Sequence, residues 1–252
     1  MYPAQFDYEK AGSVSEAIEA ISGHSDAELI AGGHSLLPTM KSGLAEPEIR
    51  EEAPVVAETA EMIGDRQVRN RGTVGGNIAH ADPASDLPGA VLAANATVHI
   101  AGPDGERSVE ADDFFHGMYA TDVGEDELVT GVQVPHEGTA GAYAKKPNPA
   151  SGYALVGVAV RLTMDGDTVA DARIGANGVM DHGTRLEPAE DAVEGQALSG
   201  DSIGAAGDAA GSSLDEYMVM EDQQASAEFR LQLLGAYTER ALEAAGERAG
   251  VL

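Results

Sequence analysis

Apolar positions along the chain change period several times, and each change marks an element. Residues 6–8 alternate as a short strand. Ser13 and Glu16 then have capping-box spacing ahead of Val14, Ala17, Ile18 and Ile21, which recur as a helix face. "AELIAGG" is a continuous apolar run into a glycine pair, read as a buried strand. Pro54 suits the first turn of a helix over 54–63. "GDRQVRNRGTVGGNIAHADPAS" follows neither period and reads as a long irregular stretch. Asp86 is placed to cap a helix over 87–94, "ATVHIAGPDGERSVE" reads as a hairpin turning at 102–105, and "ELVTGVQVP" reads as a further strand.

From Gly141 the texture changes. "GAYAKKPNPASGYALVGVAVRLTMDGDTVADARIGANGV" predicts strands joined by a turn at 165–167, followed by helices rich in Ala and Glu. Residues 199–213 are rich in Gly, Ala and Ser. "SAEFRLQLLGAYTERALEAAGERAG" predicts a terminal helix with Phe229, Leu233 and Tyr237 on one face. A domain boundary is expected within 138–142, dividing residues 1–140 from 141–252.

Composition narrows the function classes. A hydrophobic share of 43% over 252 residues supports a packed core, and with no Trp and 4% aromatics that core is mostly Ala, Val, Leu and Ile. A net charge of −28 repels nucleic acid and anionic lipid, so neither is an expected partner. Such an acid excess is best tolerated where salt screens it, which predicts a halophilic protein that loses its fold in low salt. The absence of cysteine excludes thiolate zinc, iron–sulfur ligation and a cysteine nucleophile. The N-terminus lacks a basic start with an apolar core, and no apolar run reaches membrane length, so a cytoplasmic protein without membrane insertion is expected.

Two glycine pairs carry the candidate chemistry: Gly32-Gly33, followed by His34 and Ser35, and Gly75-Gly76, followed by Asn77. Paired glycines let backbone N–H groups approach an anion without side-chain obstruction, although most such pairs are simply turns. Neither G-x-G-x-x-G opening a helix nor G-x-x-x-x-G-K-[ST] is present. A nucleophile elbow at Gly33-His34-Ser35 fails at its last position, where Leu37 replaces glycine. His80, Asp82 and Asp86 lie in a proline-containing loop without helical register, and they are read as a polar loop satisfying its own backbone rather than a metal site. Arg66, Arg69 and Arg71 flank the second glycine pair, placed either to pair with surface acids or to contact a phosphate or partner. No catalytic residue and no metal ligand is assigned.

Taken together, "AGGHSLLPTMK", "IGDRQVRNRGTVGGNIAHADPASDLP" and "YAKKPNPASGYALVGVA" resemble, in order and wording, the FAD-binding medium subunits of the aerobic carbon monoxide dehydrogenase and xanthine oxidase (molybdenum hydroxylase) family. The resemblance implies an α+β fold: a two-subdomain FAD-binding domain of the vanillyl-alcohol-oxidase type, then a small C-terminal domain of antiparallel sheet and helices. It implies that Ala31, Gly32, Gly33, His34 and Ser35 wrap the FAD pyrophosphate, with Thr73, Gly75, Gly76 and Asn77 completing the cradle. Asp86 would approach the ribityl or flavin region and Leu128 would be an apolar neighbour. Lys145 and Tyr153 would lie near the isoalloxazine edge, Lys145 as a positive charge beside the reduced ring.

By the same resemblance the partners are a large molybdopterin-binding subunit and a small [2Fe–2S] subunit, in a dimer of heterotrimers, and this chain passes electrons to an external acceptor. One departure stands out. Family members carry a further strand and a connecting stretch between a "P-E-I" segment and the "A-P-x-V-A-E" helix, whereas here Ile49 leads directly to Arg50 and Pro54. The resemblance therefore implies either a shortened FAD protein or a cofactor-free structural subunit.

Overall fold

The computed structural model describes residues 10–23, 53–135 and 140–252. Helix α1 (Val14–Gly23) starts where the sequence places it. Ser13 Oγ accepts the Glu16 N–H at 3.2 Å, and the Glu16 carboxylate reaches back to the Gly12 N–H at 2.6 Å, one residue before the capping-box position. Helix α2 (Pro54–Met62) begins on its proline. The expected strands over residues 6–8 and into Gly32 lie outside the described residues.

The stretch read as irregular holds two short helices. Asp65 Oδ1 accepts the N–H groups of Gln67 and Val68, both at 2.8 Å, and starts α3 (Arg66–Arg69). Thr73 caps α4 (Val74–His80). Helices this short cannot repeat an apolar face, and the glycines in α4 lower its propensity, so hydropathic period missed both. Helix α5 (Leu87–Ala93) is buried along its whole length. Asp86 precedes it without capping: its backbone is already helical and its side chain makes no cap bond, because the carboxylate is engaged elsewhere.

Next come β1 (Thr97–Gly102), β2 (Gly105–Glu110), β3 (Phe115–Gly117), β4 (Ala120–Thr121) and β5 (Leu128–Gln133). Strands β2-β1-β5 form an antiparallel sheet, with Gly102 opposite Gly105 at the predicted turn, and β3-β4 form a small ladder. Ile78, Leu87, Val91, Val98, Ile100 and Phe114 fill the core between this sheet and helices α4 and α5.

The remaining strands, β6 (Ala140–Pro147), β7 (Ala154–Asp165), β8 (Thr168–Asn177) and β9 (Thr184–Arg185), form an antiparallel meander in sequence order. Helices α6 (Glu187–Val193), α7 (Gly200–Ala209) and α8 (Ala227–Ala249) follow, so the Gly-, Ala- and Ser-rich segment is itself largely helical. Its start is set by a reciprocal Ser199–Ser202 capping box.

In α8 the buried row is Arg230, Leu234, Thr238, Ala241 and Leu242, whereas Phe229 is 41% exposed. Leu233 and Tyr237 sit at the margin of the core. The buried face is displaced by one residue from the predicted one because it includes Arg230, whose guanidinium Nη1 donates to the Leu155 and Gly178 carbonyls at 2.5 Å each, a use hydropathy does not anticipate. A third core, Val55, Ala90, Ala93, Ala94, Tyr143 and Ala159, joins α2 and α5 to the meander. The contact of α5 with β8 is made by small residues: a Cβ added to Gly89 would lie 2.5 Å from Asn177 Oδ1, and one added to Gly175 would collide with the Gly89 carbonyl.

Candidate cofactor site

Four segments distant in sequence meet at one cleft of about 240 Å³: the end of α2, the start of α4, the residues entering α5, and the turn between β6 and β7. Its polar lining includes Thr73, Asn77, Ser85, Asp86 and Tyr153, and its apolar walls include Ile63 and Leu87. A larger hollow lies on the β2-β1-β5 sheet around His99, where polar groups satisfy one another. His99 Nδ1 is 2.8 Å from Ser108 Oγ, and Arg107 pairs with Asp122 and Glu127. The cleft, with buried charge beneath it and donors that no described residue satisfies, is the better ligand site.

At the start of α4, Thr73 Oγ1 accepts the Gly76 N–H at 2.9 Å. The Val74 and Gly75 N–H groups, in the first turn, have no partner within the helix. Asn77 Oδ1 accepts the Ser85 hydroxyl at 2.8 Å, which fixes the amide and leaves its NH2 as the group able to donate. Gly75 packs against β5, where an added Cβ would lie 3.6 Å from Val129 Cγ1.

Beneath the cleft, Asp86 is 3% exposed. Its Oδ1 accepts the Tyr143 hydroxyl at 2.5 Å and its Oδ2 accepts Lys145 Nζ at 3.0 Å. Both carboxyl oxygens thus have a donor. Burial raises its pKa above the ordinary value, with the Lys145 charge and the Tyr143 hydrogen bond pulling the other way. Burial, then the facing Asp86 charge, pushes the Tyr143 phenol well up. Asn177 Nδ2 donates to the Tyr143 oxygen at 3.3 Å. Lys145 Nζ also donates to the Met62 carbonyl at 2.7 Å and the Gly152 carbonyl at 3.0 Å. At the mouth, Tyr153 is 46% exposed, and burial, then the Asp82 charge, raises its phenol.

Of the residues singled out from sequence, Thr73, Asn77, Asp86 and Tyr153 line this cleft. Gly76 is tied to the Thr73 cap, Lys145 lies beneath the wall, and Leu128 lies on β5 opposite Ala101, outside the lining. Ala31, Gly32, Gly33, His34 and Ser35 lie outside the described residues. His80 stacks on Tyr119 at 5.0 Å and Asp82 Oδ1 accepts the Ala84 N–H at 2.9 Å, each held locally. Arg69 donates to the Ile63 and Gly64 carbonyls at 2.7 and 3.1 Å, whereas Arg66 and Arg71 are exposed and form no ion pair among the described residues. Sequence reasoning missed Tyr143 and Asn177. The signal for Tyr143 was its spacing two residues from Lys145 in a strand, which puts both on one face.

The donor set fits an anionic dinucleotide: helix N–H groups without an acceptor among the described residues, an amide donor and an aromatic edge along apolar walls. Residues 43–137 match the family described as the FAD binding domain in molybdopterin dehydrogenase, and residues 141–245 match the CO dehydrogenase flavoprotein C-terminal domain. The chain is 36% identical to the carbon monoxide dehydrogenase medium chain of Hydrogenophaga pseudoflava, covering 98% of this chain and 99% of the relative. That alignment spans 289 positions against 252 residues here, so at least 37 have no counterpart in this chain. The nicotine 6-hydroxylase medium subunit of Paenarthrobacter nicotinovorans is 31% identical, covering 96% and 97%. Among solved structures, carbon monoxide dehydrogenase from Hydrogenophaga pseudoflava superposes with a TM-score of 0.88 at 35% identity, covering 98% of this chain and 99% of that one. The chain is thus a member of the FAD-binding medium subunits of the carbon monoxide dehydrogenase and xanthine oxidase family of molybdenum hydroxylases.

Proposed function

We propose that this chain holds FAD in the cleft and relays electrons from the [2Fe–2S] clusters of a small partner subunit to an external acceptor, beside a large molybdopterin-binding subunit that oxidises the substrate. The observation carrying this reading is the convergence of Thr73, Asn77, Asp86 and Tyr153, from separate segments, on one lined cleft. When bound, FAD supplies the ability to take electrons singly and to hold two. The chain's own contribution is to bind and orient. The Val74 and Gly75 N–H groups and the Asn77 amide hold the pyrophosphate together with residues 31–35, Ile63 and Leu87 exclude water, and Tyr153 borders the ring.

The medium subunits it resembles are named for carbon monoxide and for nicotine, so substrate choice belongs to the large partner. The reading divides the chain into a FAD-binding domain, 1–140, and a C-terminal domain, 141–252, assembled in the cytoplasm as a dimer of heterotrimers. The shortfall of at least 37 positions favours one rival, a structural subunit that has lost the cofactor. A visible spectrum of the protein purified in high salt, followed by FAD titration, separates the two. Flavin bands or saturable binding support the relay. A colourless protein that ignores FAD, alone and with its partner subunits, overturns it.

A further inference from the structure

We infer that Lys145 is a positioning residue for the bound flavin rather than its charge partner, an inference that rests on the FAD reading. Its side chain is 3% exposed, and its ammonium carries three protons. Each proton has an acceptor on a different segment: the Met62 carbonyl closing α2, the Gly152 carbonyl in the turn before β7, and Asp86 before α5. No proton remains for a ligand, and Asp86 neutralises the charge. What Lys145 touches is the wall itself, since Asp86, Gly152 and the residue after Met62, Ile63, all line the cleft.

The turn held in this way is closed by its own backbone hydrogen bonds. Gly152 N–H donates to the Asn148 carbonyl at 2.9 Å, and the Asn148 N–H donates to the Tyr153 carbonyl at 2.7 Å. Gly152 has φ +77° and rests on the junction of α2 and α3, where a Cβ would lie 3.6 Å from Gly64 Cα. The ammonium therefore sets how closely the turn bearing Tyr153 approaches the α2 wall. Through Asp86 it also anchors the segment whose preceding residue, Ser85, fixes the Asn77 amide. Removing the cation takes away the one donor group shared by the Met62 carbonyl, the Gly152 carbonyl and Asp86, and leaves Asp86 with the Tyr143 hydroxyl as its remaining donor, so the three segments of the wall lose their common anchor.

The test compares Lys145→Met, Lys145→Arg and the double variant Asp86→Asn/Lys145→Met in the full chain. FAD affinity is read by flavin fluorescence quenching, the midpoint potential by spectroelectrochemistry and the folded fraction by circular dichroism. Lys145→Met is expected to weaken FAD binding by the folded fraction about tenfold or more, with the potential of the bound flavin unchanged. The double variant removes the under-paired acid but still gives the Met62 and Gly152 carbonyls no donor, so it is expected to recover only part of that affinity. Lys145→Arg keeps the charge but cannot place donors on the same three acceptors, so it is expected to weaken binding with no change in potential. If Lys145→Met lowers the potential while Lys145→Arg restores both quantities, Lys145 is the ring's charge partner and the inference fails. Unchanged affinity in the folded variants overturns it equally. A wild-type chain that does not bind FAD is seen before any variant is made and overturns the underlying reading instead.

Discussion

Arg248, in the last turn of α8, holds Glu58 on α2 with both ends of its guanidinium: Nη1 to Oε2 at 2.7 Å and Nη2 to Oε1 at 2.6 Å. The same Glu58 Oε2 accepts the Tyr143 backbone N–H at 2.7 Å, and Arg248 also donates to the Gly141 carbonyl. One carboxylate thus joins the final helix, the first strand of the meander and a helix of the cofactor side. A double-mutant cycle with Glu58→Gln and Arg248→Ala, read by urea unfolding, is expected to give a coupling of about 1 kcal/mol that shrinks in high salt, because Arg248 is 42% exposed. Zero coupling would reduce the pair to a surface contact.

The glycine contact between α5 and β8 makes a sharper claim. An added methyl at Gly175 meets the Gly89 carbonyl, a backbone group that cannot rotate away. Gly175→Ala is expected to cost about 3 kcal/mol, whereas Gly204→Ala in α7, where nothing lies within 4 Å, is expected to be neutral or slightly stabilising. Equal melting temperatures for the two would refute the close approach.

Loss of the α4 cap links stability to binding. Thr73→Ala removes the acceptor of the Gly76 N–H and is expected to cost about 1 kcal/mol, with Thr73→Ser close to wild type. FAD affinity should fall with the former and be retained by the latter, as titration would reveal.

Two carboxylates bend the pH profile in opposite senses. The Arg107 hydrogen bond, its main cause, lowers Glu127 to about 2 from 4.5, so the stability it contributes is full above the ordinary carboxylate range and is lost as pH falls towards 2. Asp86 is raised by burial. Its contribution is full below the ordinary value and is lost as pH rises through the raised one. Thermal melts from acid to neutral pH should show Glu127→Gln flattening the acid limb and Asp86→Asn removing the decline on the other side. Parallel curves for both variants and wild type would contradict these assignments.

The −28 charge makes salt the last lever. Melting temperature is expected to rise steadily with potassium chloride as self-repulsion is screened. A salt-independent melt would remove the halophilic expectation.

Elements with long, clean periods were legible in the chain. The hairpin at Gly102 and Gly105, strand β5, the β7–β8 turn and α8 lie close to where apolar alternation and turn residues put them. Helices α3 and α4 were not, since a helix shorter than two full repeats carries no period and its caps, Asp65 and Thr73, look like loop residues until the N–H groups they accept are seen. Asp86 was misread as a cap for the same reason. Local pattern offers it the nearest N–H groups, whereas folding brings it Tyr143 and Lys145.

By itself the sequence determined what short-range physics controls: an Ala- and Val-rich core, the strand and helix order of the second half, an acidic surface, and the motif order that marks the family. Tertiary structure decided which polar groups are spent and which remain to bind. In the chain Asp86 reads as a helix cap and Lys145, by resemblance, as a charge beside the flavin, but folding buries each among acceptors and donors supplied by other segments. Most of these partners lie tens of residues away in sequence, and the cost of leaving a buried charge unpaired fixes its role more strongly than any residue beside it.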